Sequence, residues 1–208
     1  MTTDYDTLKA MKEAGCRLLI VGYESGDQQI LKNIKKGATI DMARRFTANC
    51  KKLGLEIHGD FIVGLPGESR ETIRKSIDFA KELDVETIQV SIGHPYPGTE
   101  FYDHVKKNGL ITLDGAMTDD SGHQLPNYQY PGLDKGELVD WVERFYSEFY
   151  FRPKVALRLI GKALFDNSER KRLYKEAKEY LALRRKRKLY VKEQGEQKER
   201  PVVLSAGD

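Results

Sequence analysis

Three short apolar runs, at residues 17–23, 56–63 and 87–92, are each followed by a glycine-bearing turn and then by a stretch of helical periodicity. This alternation constrains the fold more than any other feature. A strand that passes through a helix to reach the next strand makes a crossover connection, and crossovers build parallel sheets. The first run (RLLIVGY) is apolar nearly throughout, which predicts a strand buried on both faces.

The helical stretches carry their own start and stop signals. Ser25, followed by Gln28, reads as a capping box for a helix with Ile30, Leu31 and Ile34 as its buried stripe, ended by Gly37. Thr39 caps a second helix with Ala43, Phe46, Cys50 and Leu53 at helical spacing, closed by Gly54. Ser69 opens a third, with Ile73, Ile77 and Ala80 on one face, and a shorter helix over 100–107 stops at Asn108 and Gly109. Beyond position 110 the pattern changes. Residues 111–134 are rich in glycine, proline and aspartate and read as one long loop. Leu138, Trp141, Val142, Phe145 and Phe149 predict an amphipathic helix over 135–150, and a short apolar helix follows over 155–165. A charged helix from 168 to 193 carries a thin stripe of Leu173, Ala177, Tyr180 and Leu181, and the polar residues 194–208 predict a disordered tail.

Three strand–helix units are too few for a closed barrel of about eight. The fold expected is therefore α/β: a partial parallel (β/α) barrel over 1–110, the loop 111–134, a helical C-terminal extension over 135–193, and the tail 194–208. The sheet looks unfinished on its N-terminal side, where the first strand would leave backbone groups unpaired.

Composition excludes more than it selects. The chain has 208 residues, and its 35 Lys and Arg nearly balance 32 Asp and Glu. That balance gives no reason to expect nucleic acid as a partner. No apolar stretch is long enough to span a bilayer, and the first residues lack the pattern of a secretion signal. A cytoplasmic location is expected. Cys16 and Cys50 match no metal-ligand spacing and read as small core residues. There is no phosphate-binding loop, catalytic triad or zinc motif.

Ligands of parallel α/β folds bind beyond the C-terminal ends of the strands. Three segments fall there: Glu24 and Ser25; Gly64, Leu65, Pro66, Gly67 and Glu68; and His94, Pro95 and Tyr96. A carboxylate at Glu24 can accept hydrogen bonds from both hydroxyls of a ribose. The ordinary alternative is a solvated glutamate near a helix N-terminus. The two glycines of the second turn leave room for a ligand at the backbone, or simply shape a turn in which Glu68 faces the next helix dipole. His94 is a candidate for proton transfer or substrate binding, or else a structural histidine. His123, with Tyr128 and Tyr130, is a candidate substrate lid. His58 and His104 receive no role.

Taken in order, residues 15–37 (GCRLLIVGYESGDQQILKNIKKG), 58–69 (HGDFIVGLPGES) and 94–102 (HPYPGTEFY) resemble the second half of a radical S-adenosylmethionine (SAM) domain, an open barrel of six units. The resemblance covers residues 8–110. It implies that Glu24, with Ser25 beside it, contacts the SAM ribose. It implies that the backbone of Phe61, Ile62 and Val63 leading into Gly64 reads the adenine, with Pro66, Gly67, Glu68 and Pro95 lining the cofactor. His94, Tyr96 and His123 then face substrate. In that family a reduced 4Fe-4S cluster cleaves SAM, and the deoxyadenosyl radical abstracts a substrate hydrogen. Residues 118–152 resemble the cobalamin-domain-containing, hopanoid-biosynthesis-associated members. Those imply a lipid-linked substrate, and with it a membrane surface for the basic run at 184–188.

The departure from the family is the missing CxxxCxxC, whose thiolates hold the cluster. The chain alone is therefore expected to bind no cluster and to cleave no SAM, with the N-terminal half of the barrel as its partner. Two rival readings stay open. One is a non-catalytic module that binds a nucleotide or partner through the same strand ends. The other is a complete α/β enzyme using Glu24, Glu68 and His94 in acid–base chemistry.

Overall fold

The computed structural model describes residues 3–112, 126–165 and 167–199. The elements run α1 (Tyr5–Glu13), β1 (Leu18–Glu24), α2 (Gln28–Asn33), α3 (Ile40–Lys52), β2 (Glu56–Val63), α4 (Arg70–Leu83), β3 (Thr87–Ile92), α5 (Glu100–Lys107), α6 (Lys135–Tyr150), α7 (Pro153–Phe165) and α8 (Asn167–Glu199). The strands form one parallel sheet in the order β1-β2-β3. The architecture is a partial barrel wall followed by a helical C-terminal region.

The sheet is two-faced. Ile57, Phe61 and Val63 of β2, with Ile88, Val90 and Ile92 of β3, are buried in one core with Ala43, Phe46 and Cys50 of α3 and Ile73, Ile77 and Ala80 of α4. On the other face Leu18 is 50% and Ile20 71% exposed. The expectation that the first strand is buried on both faces is thus corrected. Helices cover only one side of β1, and its apolar run reflects two different environments. The unfinished edge expected at β1 is present among the described residues, since β1 pairs only with β2.

The opposite edge is closed by side chains. Tyr146 and Tyr150 of α6 stack 6.3 Å apart and stand against β3. The amides of Val90 and Ile88 donate to their hydroxyls at 2.8 and 3.0 Å, and the hydroxyls donate back to the same residues' carbonyls at 3.4 and 3.2 Å. The two phenols thereby stand in for a neighbouring strand. Replacing Tyr146 by Phe leaves the buried Val90 amide without its acceptor and should cost about 1–2 kcal/mol. Urea denaturation reads that loss, and faster hydrogen exchange at Val90 localises it.

The C-terminal helices differ from the sequence reading in two respects. α8 continues to Glu199, so residues 194–199 are helix rather than tail; residues 200–208 lie outside the described ones. Its contact face also follows the predicted stripe only in part, through Leu173 and Tyr180. Ala177 and Leu181 are exposed, whereas Tyr180, Leu183, Arg187, Tyr190 and Val191 are partly buried. Two arginines are drawn in because Glu143 of α6 waits for them: Arg184 lies 2.8 Å and Arg187 3.7 Å from its carboxylate, and Tyr180 donates to it at 3.1 Å. No helix among the described residues is long and apolar enough to cross a membrane.

Candidate functional site

The first strand tip is strained. Glu24 has φ 65°, and the Ser25 amide donates back to the Tyr23 carbonyl at 2.8 Å, a three-residue turn that a non-glycine residue rarely adopts. Such strain persists where the surroundings enforce it and points to a functional position. The ladder confirms the irregularity: Gly22 pairs with Asp60, but Glu24 pairs with Phe61. The carboxylate folds back over Gly22 and meets Lys36 at 2.6 Å, with 17% of the Glu24 side chain exposed. A Cβ at Gly22 would lie 2.5 Å from the Glu24 Oε1, so this arrangement needs glycine there. Lys36 is delivered by the end of α2, where Lys35 takes a left-handed conformation (φ 54°) and the Lys36 amide donates to the Leu31 carbonyl at 3.0 Å. Lys35, not Gly37, ends that helix.

Ser25 is not the cap of α2. Asp27 is, accepting from the amides of Gln29 and Ile30 at 2.8 and 3.2 Å. Ser25 is fully buried, and its hydroxyl lies 3.1 Å from that of Ser76 on α4. Gln28 instead accepts from the Ile40 amide at the start of α3. A serine two residues too early is outcompeted because Asp27 also gains Lys75 at 3.1 Å.

The second tip is built around the Gly64 peptide. Glu68 accepts from the amides of Gly64 and Leu65 through one oxygen. Its other oxygen is buried without a hydrogen-bond partner among the described residues. Burial pushes the Glu68 carboxyl up to about 8, against the two amides that favour its charged form. The Gly64 carbonyl accepts from Tyr128 at 2.6 Å and from Tyr130 at 3.2 Å. Tyr128 is fully buried, so it is a pillar under the turn rather than the lid expected of it. A Cβ at Gly64 (φ 88°) would lie 2.2 Å from the Tyr128 hydroxyl. Asn33 of α2 donates to the Pro66 carbonyl at 2.9 Å, which ties the first tip to the second; Gly67 (φ 85°) completes the turn beside Asn33.

The third tip adjoins the second, because the Gly93 amide donates to the Val63 carbonyl at 2.8 Å. His94 packs against the Tyr96 ring at 4.7 Å. Its Nε2 is buried without a partner among the described residues, and burial holds its pKa below the ordinary value. Pro95 is buried and Tyr96 exposed. His123 lies outside the described residues. The structure thus brings Glu24, the Gly64–Glu68 turn and His94 to one end of one open sheet. It also shows that Phe61 and Val63 turn their side chains to the helices, leaving Ile62 on the open face.

Sequence reading missed the polar lining of that open face. His58 Nδ1 lies 2.6 Å from the Thr87 hydroxyl, and its Nε2 lies 3.4 Å from Asp60. Burial raises the Asp60 carboxyl, and the charge of Glu24 adds to the rise while His58 and Lys36 oppose it. The signal was present in the sequence: Glu56, His58 and Asp60 alternate with Ile57, Gly59 and Phe61, the period of a strand with one polar face.

The cysteines do not fit an iron–sulfur cluster. Cys50 is fully buried and burial pushes its thiol up to about 11, which disfavours the thiolate that ligation needs. Cys16 directs its sulfur toward the Leu18 carbonyl. Among the described residues no cluster of His, Cys, Asp or Glu is placed to hold a metal ion.

Residues 1–80 match the family model of the radical SAM superfamily. An uncharacterized methyltransferase of Pyrococcus horikoshii is 36% identical over 155 residues, covering 73% of this chain and 33% of that protein. The bacteriochlorophyllide d C-8(2)-methyltransferase of Chlorobaculum tepidum is 32% identical over 174 residues, covering 78% of this chain and 38% of that protein. The chain thus spans between a third and two fifths of these relatives. Among solved structures, the radical SAM methyltransferase TsrM of Kitasatospora setae, with cobalamin and a [4Fe-4S] cluster bound, superposes with a TM-score of 0.56 at 23% identity, covering 69% of this chain and 34% of that one. The fold is therefore that of a radical SAM barrel wall. The chain is thus similar to the radical SAM superfamily over residues 1–80 and to the two named methyltransferases over 73% and 78% of its length.

Proposed function

We propose that this chain forms the C-terminal wall of a radical SAM barrel and grips the nucleoside end of SAM across its three strand tips, in the service of methyl transfer. The observation that carries the reading is the strained tip at Glu24. Its carboxylate is held by Lys36 at 2.6 Å through one oxygen, leaving the other to accept from ribose hydroxyls. Ser25 supports this tip from beneath. The backbone from Phe61 to Gly64 and the Pro66–Glu68 turn shape the adenine side, with Pro95 closing the rim. His94 and Tyr96 stand where substrate would enter, and the His58–Asp60 pair offers it hydrogen bonds on the open face.

SAM would supply the transferable group. The cluster and cobalamin, as TsrM binds them, would be held by polypeptide outside this chain, whose own cysteines do not fit. The chain by itself is accordingly proposed not to cleave SAM. Methyl transfer replaces remodelling of a triterpenoid lipid head group as the proposed reaction, because the relatives overlapping 155 and 174 residues are methyltransferases by name. The acid–base alternative loses ground because Glu68 is occupied inside its own turn.

In the full-length protein, Glu24→Gln should weaken SAM binding by about tenfold, the value of one charged hydrogen-bonding group, with thermal stability unchanged. Calorimetric titration decides the matter. Affinity for SAM equal to that of the unsubstituted protein would remove Glu24 from the site and with it this reading.

A further inference from the structure

The outward face of α8 is unlike the rest of the surface. Projected at about 100° per residue, a sector about 100° wide contains nine positions between 170 and 192. Each is exposed. Three are large apolar residues, Tyr174, Leu181 and Leu189, with 56–74% of their surface open to water. The remaining six are all lysine or arginine. The acidic residues of this stretch, among them Glu176 and Glu179, project elsewhere. Lys171, Lys178, Arg185 and Lys188 make no ion pair with the described residues. The opposite side of the helix is the one that packs on α6, through Tyr180, Leu183 and Arg187. The stripe is therefore not part of the fold's own packing.

Cations interleaved with leucines over about 33 Å of helix present a specific chemistry. A solvated charged face has no use for Leu181 and Leu189, which expose apolar surface at a cost. A polyanion such as RNA would engage the cations and leave the leucines idle. An anionic lipid surface uses both, the apolar side chains entering the acyl boundary while the long cationic stems reach the headgroups. α7 adds a second apolar row at i, i+3 and i+7, Leu157, Ile160 and Leu164, each more than half exposed. We infer that the outward stripe of α8 is a docking surface for an anionic lipid membrane, which holds the protein at the bilayer surface without crossing it. The inference does not rest on the reading of the strand tips.

The test uses the full-length protein and sedimentation with vesicles of phosphatidylcholine, alone or with added phosphatidylglycerol. Binding should require the anionic lipid and should be released near 0.5 M salt, where charge attraction is screened to about 4 Å. Lys178→Glu with Arg185→Glu should weaken binding by about tenfold or more. Leu181→Ser with Leu189→Ser should weaken it several-fold, with helicity unchanged because the positions are exposed. Four results overturn the inference. One is failure to bind anionic vesicles, and another is unaltered vesicle binding by both double variants. The others are capture by transfer RNA in place of vesicles, and self-association that the Leu181→Ser, Leu189→Ser pair abolishes in the absence of lipid binding.

Discussion

Gly26→Ala is expected to destabilise the fold by roughly 3–4 kcal/mol, although the change adds a single methyl group. A Cβ at Gly26 would lie 2.6 Å from the Lys75 carbonyl oxygen, 2.6 Å from the Phe79 Cβ and 2.7 Å from the Ser76 Cα. Two of these are backbone atoms of α4, so no rotamer change relieves the overlap. The loop must lift off the helix. In doing so it breaks the bond from the Gly26 amide to the Ser76 hydroxyl, now 2.8 Å, and uncovers Ser25. The loss should therefore appear twice, in the urea midpoint and in SAM affinity of the full-length protein, because Glu24 sits one residue before the displaced segment. Gly161→Ala in α7 is the control. Nothing lies within 4 Å of its added carbon, and a helical glycine with room for a methyl group gains about 0.5–1 kcal/mol on replacement. Equal stability of the two variants would mean that the loop does not dock on α4.

The second large effect is a pH dependence set by Glu68. Its carboxyl is raised to about 8 in the folded protein against an ordinary value of 4.5. Between those values the unfolded chain has released the proton while the folded chain still holds it. Rising pH therefore favours unfolding, by about 1.4 kcal/mol per pH unit at most. The stability contributed by the protonated group is complete below the unfolded value and lost as pH climbs toward the folded one. Glu68→Gln keeps a neutral acceptor for the Gly64 and Leu65 amides, so it should match the natural protein near pH 5. It should exceed the natural protein by a few kcal/mol near pH 9. Denaturant midpoints of both proteins across that range give the comparison, and parallel curves would show that Glu68 does not hold its proton in the fold. Function has a stake in the outcome, since the same carboxyl positions the Gly64 peptide at the second strand tip.

Much of the local structure was readable from neighbouring residues. The bounds of β2 and β3 and of α5 and α6 coincide with the runs and periodic stretches that predicted them. Thr39 and Ser69 cap the helices they were expected to cap. Each of these decisions is settled within about one turn of chain, where hydrophobic spacing and a side-chain oxygen compete with few alternatives. Ser25 shows the limit. Two cap candidates stood two residues apart, and a lysine 48 positions away, Lys75, favoured Asp27.

By itself, the order of strands and helices in the sequence determined a parallel α/β wall, and the glycine-rich ends of the strands marked where a ligand would sit. Tertiary structure alone decided what those ends present. Lys36 reaches Glu24 only because α2 unwinds at Lys35. The Gly64 carbonyl meets Tyr128 across 64 positions of chain, and His58 meets Thr87 only through the register of β2 with β3. Pattern in a sequence reports which face of an element is apolar. Which polar groups share the other face depends on crossovers and register that no local signal encodes.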